Sequence, residues 1–140
     1  MSRTTARELA LKVVFELPFQ KEDLKELYEK YIESQEEQLD INAEDEEFII
    51  NVIDGVQNNI DTIDERIKSH LKDWNFDRIS KIDLAILRVA IYEIVYRDDI
   101  PFKVSVNEAV ELSKVFSEDS SSSFINGVLA EVIKDLEKTE

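Results

Sequence analysis

The sequence predicts an all-helical fold, and three observations carry the prediction. Apolar residues recur three and four apart rather than in strict alternation, which is the spacing of a helix face. Only 2 glycines and 2 prolines interrupt the 140 residues, leaving few breaks and no long flexible linker. Residues 82–95 are apolar on nearly every side, as expected of a helix enclosed by others. The length suits one domain, and a hydrophobic fraction of 43% is enough to fill its core.

Thr5-Ala6-Arg7-Glu8 reads as a capping box opening the first helix. Ala6, Leu9, Ala10, Val13, Val14 and Leu17 then make one apolar face, and Pro18 stops the helix. A short, highly charged helix follows over about residues 22–34, anchored by Leu24, Leu27, Tyr28 and Tyr31, and residues 35–42 read as a loop. From about 43 to 72, Ile49, Ile53, Val56, Ile60, Ile63 and Ile67 alternate four and three apart. That stripe suits one long helix, with Gly55 and Asn58-Asn59 as points of local bending. Trp74-Asn75-Phe76 marks a turn, and Ser80 caps the central apolar helix, which Asp98-Asp99 and Pro101 end. Ser105-Val106-Asn107-Glu108 reads as a second capping box opening a helix through Phe116. A serine-rich loop over 117–123 leads to a last helix from about 122 to 137, within which Gly127 suggests close helix packing.

Charge and composition exclude several function classes. Without cysteine there is no disulfide, thiolate metal site or Cys nucleophile. No Gly-rich phosphate loop or metal-ligand spacing appears, and Glu44, Asp45, Glu46 and Glu47 are consecutive, so they fan around a helix instead of converging. The single histidine, His70, reads as an ordinary exposed residue. The expectation is a protein with no catalytic residue, no metal and no cofactor. With neither a signal-peptide pattern at the N-terminus nor a spanning apolar run, the expected location is cytoplasmic. A net charge of −15 opposes phosphate binding in general, yet its distribution is uneven. Twelve acids and no basic residue lie between Lys30 and Arg66, whereas Arg3, Arg7 and Lys12 face only Glu8 within the first twelve residues. A basic end on an acidic body can bind RNA locally, though the body's field weakens that binding.

Several segments, in this order and spacing, carry a resemblance. They are Ala6-Arg7-Glu8 with Ala10 and Leu11; Phe48, Gly55-Val56, Asn59, Ile63-Asp64, Trp74 and Arg78; Ile86-Leu87-Arg88-Val89-Ala90-Ile91-Tyr92-Glu93; Pro101; Asn107-Glu108-Ala109-Val110-Glu111-Leu112-Ser113-Lys114 with Phe116; and Phe124-Ile125-Asn126-Gly127-Val128-Leu129. Together they resemble the NusB transcription-antitermination family across nearly the whole chain, except about residues 20–42. The resemblance implies a single RNA-binding domain over 1–140, built of about seven helices in two small sub-bundles, about 1–72 and 73–140. It also implies a non-catalytic adaptor. Such a factor pairs with NusE, a ribosomal small-subunit protein, binds boxA RNA of nascent ribosomal RNA, and works in the antitermination complex of RNA polymerase. The resemblance admits a monomer or a homodimer.

Candidate residues follow, each with a plainer alternative. Arg3 and Arg7 share one side of the first helix, and the family's N-terminal arginines contact RNA; Thr4 and Thr5 stand where more arginines would be expected. The alternative is a solvated helix end. At ~100° per residue, Phe15 points away from the main apolar face, with Leu11 one turn before it. The two suggest a second, exposed stripe awaiting a partner, which the resemblance implies is NusE, or burial elsewhere in the chain. The resemblance places Asp83 in the NusE interface, whereas Arg88 reads as an internal salt bridge, to Glu93 or Glu111. Ser120 and Ser123 carry hydroxyls near a helix start, Phe124 could stack on a base, and Lys114 adds charge, against core packing for Phe124 and the opposing Glu118 and Asp119. A second reading of the whole is a protein-interaction module with little RNA affinity of its own, suggested by the net charge and the thinned arginines.

Overall fold

The computed structural model describes residues 1–19, 22–35, 40–71 and 75–138. Among these, seven helices and one 3₁₀ turn account for the regular structure, and no strand occurs. The helices are α1 (Arg3–Phe15), α2 (Leu24–Ser34), α3 (Ala43–Asn58), α4 (Ile60–Ser69), α5 (Lys81–Tyr96), α6 (Phe102–Phe116) and α7 (Ser121–Lys138), with the 3₁₀ turn at Phe76–Arg78. The all-helical expectation holds. The chain divides into two compact units, Met1–Asn58 with α1 to α3 and Asn59–Glu140 with α4 to α7. The boundary expected near 72 falls on residues outside the described ones, as do Trp74 and half of the loop over 35–42.

The division coincides with a break in the long helix. The apolar stripe from Ile49 to Ile67 is real, since Ile49, Ile53, Val56, Ile63 and Ile67 are fully buried. It belongs to two helices, however. At Asn59 the backbone turns to φ −117°, ψ 22°, and α4 restarts with the Ile63 amide donating to the Asn59 carbonyl at 2.9 Å. Two consecutive asparagines, whose side chains compete for backbone partners, are a weak place in any helix.

In the first unit α1 lies mainly against α3, and α2 touches both. Ala6, Leu9, Ala10, Val13 and Val14 are buried as the periodicity requires, with Leu24 and Tyr28 of α2 and Phe48, Ile49, Val52, Ile53 and Val56 of α3. Truncating any one of the fully buried isoleucines would cost about 2–5 kcal/mol. The cap of α1 is Ser2, not Thr5. The Ser2 hydroxyl accepts the Thr5 amide at 3.0 Å, so the helix starts one turn earlier than the capping box suggests. α2 is tied down at its start by the Leu24 amide, which donates to Gln57 Oε1 at 2.7 Å.

In the second unit α5 is central, in contact with α4, α6 and α7. Every residue from Asp83 to Ile94 is buried, as its all-round apolar sequence predicts. Ser80 caps it as expected, accepting the Asp83 amide at 3.2 Å. Three charged residues on this buried helix sit five apart, so each is turned ~140° from the last and meets a different neighbour. Asp83 accepts from serines beside α7, Arg88 forms a bidentate pair with Asp64 of α4, both bonds at 2.9 Å, and Glu93 accepts the Ser105 hydroxyl of α6 at 3.2 Å. Arg88 is thus an internal salt bridge, with Asp64 in place of Glu93 or Glu111.

Three local expectations are corrected here. The second capping box is not one: α6 begins at Phe102 after Pro101, and Ser105 is buried with its hydroxyl spent on Glu93. Gly127 does not permit close packing, because it is exposed and an added methyl there would meet nothing within 4 Å. His70 is not simply exposed. Its imidazole, 9% accessible, lies between the Arg66 carbonyl and Asp135, joining the end of α4 to α7.

Candidate functional site

Within the first unit, the start of α1 gathers cations onto an aromatic ring. Four-residue spacing puts Arg3 and Arg7 on one side of the helix, and the α1–α3 packing sets that side over Phe48. The Arg3 guanidinium carbon lies 4.1 Å from the Phe48 ring centroid and that of Arg7 lies 5.4 Å from it. Acids from the first turn of α3 flank the pair: Glu44 is 3.7 Å from Arg3, and Asp45 takes the Met1 amine at 3.3 Å. Arg3 is half-buried, but Arg7 is only 3% exposed. The plainer alternative of a solvated helix end therefore does not hold for Arg7, a buried cation over a ring.

At the other end of α1, Phe15 is half-buried and its ring lies tilted against Phe19, centroids 5.7 Å apart. Phe19 is 58% exposed. Leu11 is 1% exposed, so it is core and not part of an open stripe. The stripe that remains runs from Phe15 to Phe19, carried past the helix end by the turn through Pro18. Sequence reading missed Phe19 because it lies beyond the helix on which the periodicity was counted.

Within the second unit a groove of about 630 Å³ is lined by Arg78, Ser80, Asp83, Phe116, Ser117, Ser120, Ser121 and Phe124, among others. Three residues expected to serve two different partners, Asp83, Ser120 and Phe124, therefore line one groove. At its base the Ser117 hydroxyl donates to Asp83 Oδ1 at 2.6 Å and the Ser121 hydroxyl to Oδ2 at 2.8 Å. Asp83 is 8% exposed. Both its oxygens face hydroxyls of this chain, which ties α5 to the junction of α6 and α7. Phe124 is half-buried in the first turn of α7, and Ser120 and Ser123 are exposed. Ser122 shares a 2.7 Å hydrogen bond with Ser113. The serine stretch is therefore half loop, half helix start. Lys114 is exposed on α6 and pairs with Glu111 at 3.2 Å, outside the groove.

The groove of the second unit offers hydroxyls, the Arg78 guanidinium and the Phe124 ring, suited to phosphates and unpaired bases; separately, the stack of the first unit offers the Arg3 guanidinium to a phosphate. Several contributors had no role assigned from sequence, among them Ser117 and Phe48. Neither carries a local signal, since one is a helix-end serine and the other an apolar residue at a core position. Among the described residues no group of three or more His, Asp or Glu could hold a metal, and no helix is long and apolar enough to cross a membrane.

Comparison with known proteins places this arrangement. The transcription antitermination protein NusB of Acetivibrio thermocellus is 48% identical over 134 residues, covering 96% of this chain and 90% of that protein. The structure of T. maritima NusB superposes with a TM-score of 0.84 at 31% identity, covering 96% of this chain and 92% of that one. The crystal structure of antitermination factors NusB and NusE in complex with dsRNA matches the fold with a TM-score of 0.83 at 24% identity, covering 95% and 96%. The NusB family model matches residues 4–134. On these grounds the chain belongs to the NusB family, whose curated member named here is a transcription antitermination protein.

Proposed function

We propose that this chain is a non-catalytic, cytoplasmic antitermination adaptor. With NusE it binds boxA RNA of nascent ribosomal RNA and promotes read-through by RNA polymerase. Family membership supports the role. The structural observation that carries it is the gathering of Arg3 and Arg7 on Phe48, two guanidinium groups over one ring in a chain of net charge −15. In this reading RNA meets Arg3, with Arg7 behind it, and also Ser120, Ser123, Phe124 and Lys114. NusE meets Phe15, extended by Phe19 and backed by the buried Leu11, and approaches the groove above Asp83. The likeness to NusB crystallised with NusE and dsRNA supports the choice of partners. Self-association would compete with these surfaces.

A second reading has specific support. Arg3 faces Glu44 and Lys114 faces Glu111, so cations of the proposed RNA set already have acidic neighbours. The chain would then act through NusE, with little RNA affinity of its own. One titration separates the two: a labelled boxA-type RNA and a scrambled control, each with and without NusE. Affinity for boxA that rises with NusE supports the adaptor. Capture of NusE with no gain in RNA affinity supports the interaction module. Phe15→Ala should act only when NusE is present.

A further inference from the structure

Phe48 is a core residue by burial, 3% exposed, yet its ring also carries the two guanidinium groups of α1. We propose that Phe48, together with Arg7, is a positioning residue for RNA binding, holding Arg3 so that its donor edge is presented to a phosphate. The inference rests on the reading of α1 as an RNA-contacting helix.

The argument is one of geometry and access. A guanidinium that lies against a ring uses its face there, while its N–H groups point outward in the plane, the geometry that grips phosphate. The Arg3 side chain is 39% accessible, which leaves that edge open, whereas Arg7 is closed off. Arg3 is thus the group RNA can reach, and Arg7 and Phe48 fix where it stands. A side chain fixed beforehand loses less rotamer freedom on binding. The stack also explains how two cations tolerate each other: both lie over one ring, and Glu44 flanks Arg3. Glu44 is 84% accessible on its side chain, so its contact with Arg3 is screened and a phosphate can displace it.

The test uses the full chain with NusE and a labelled boxA-type RNA. Proton NMR of the Arg3 side chain reports the stack in the free protein, because methylenes beside a ring face shift upfield. Phe48→Leu keeps an apolar side chain and removes the ring. It should abolish that shift and weaken RNA binding about fivefold, with NusE affinity unchanged within about twofold. Phe48→Tyr keeps the ring and should retain both shift and affinity. Should Phe48→Leu fail to fold, Arg3→Lys, which keeps the charge and loses the plane, should weaken RNA binding by a similar factor. Three results overturn the proposal: unchanged RNA affinity in a folded Phe48→Leu, a Tyr variant as damaged as the Leu variant, or an Arg3 without an upfield shift in the unsubstituted chain. Absence of RNA affinity in the unsubstituted chain with NusE would instead overturn the function on which the proposal rests.

Discussion

Removing the carboxylate of Asp83 should destabilise the second unit by about 2–4 kcal/mol. Asp83 is buried on α5, and its two oxygens accept from Ser117 at 2.6 Å and Ser121 at 2.8 Å. Hydrogen bonds to a charged group contribute roughly 1.5–3 kcal/mol each, so the pair sums to about 3–6 kcal/mol before relaxation. Part returns in Asp83→Ala, because Ser117 and Ser121 already lie 2.9 Å apart and can bond each other. Asp83→Asn, which keeps one carbonyl acceptor, should cost only about 1 kcal/mol. Urea unfolding followed by circular dichroism is the assay. With a slope of about 1–3 kcal/mol per molar urea, the Ala midpoint should fall by roughly 0.7–4 M. A midpoint unchanged in Asp83→Ala, together with lost affinity for NusE, would refute this account. It would mean that Asp83 is held for a partner and not for the fold.

Other expectations follow from the polar groups and glycine. Arg88→Met leaves the Asp64 carboxylate, 17% accessible, without its bidentate partner, and should cost about 2–3 kcal/mol in urea unfolding. Adding Asp64→Leu should recover most of it, and a double variant no better than the single one would contradict the pairing. Burial, with Glu46 nearby, pushes the Tyr28 hydroxyl up to about 12. The folded state therefore holds that proton more tightly than the unfolded chain, whose tyrosines titrate near ~10, and stability should fall as pH rises from about 10 to 12. Tyr28→Phe should remove that slope. The hydroxyl is buried with no hydrogen-bond partner among the described residues, so the variant should gain about 1 kcal/mol at neutral pH, read by thermal melting. Gly127→Ala, on an exposed helical position with open space around it, should stabilise by about 0.5–1 kcal/mol. A lower melting temperature would show that the glycine is required by contacts on the outer face of α7.

The helices were legible because burial demands a period, clean in α1, α3 and α4, and because α5 is apolar all round, as an enclosed helix must be. Their ends were less so. Ser2 caps α1 although Thr5-Ala6-Arg7-Glu8 matches a box, and Ser105 lies within α6 although its own motif matches one too. A capping pattern states what a local segment can do, while tertiary partners such as Glu93 decide what the serine does. The break at Asn59 was visible only as a weakness, since the isoleucine stripe runs straight through it. At the site, the arginine side of α1 followed from four-residue spacing. That Phe48 would lie beneath it depends on how α1 meets α3, which no single helix encodes. For the same reason Asp83 and Phe124, 41 positions apart, gave no sign of sharing a groove. Leu11 misled because its side of α1 looked unpartnered when only one helix was counted.

The central claim is that this acidic chain reads boxA RNA through a small cationic corner, helped by NusE. It is tested most directly by the salt-dependent affinity of the chain with NusE for boxA-type and scrambled RNA. The account predicts that boxA binds at least about tenfold more tightly at moderate salt, and that Arg3→Ala flattens the salt dependence for both RNAs by about one phosphate contact. Equal affinity for the two RNAs, with a salt slope that Arg3→Ala leaves unchanged, would contradict it.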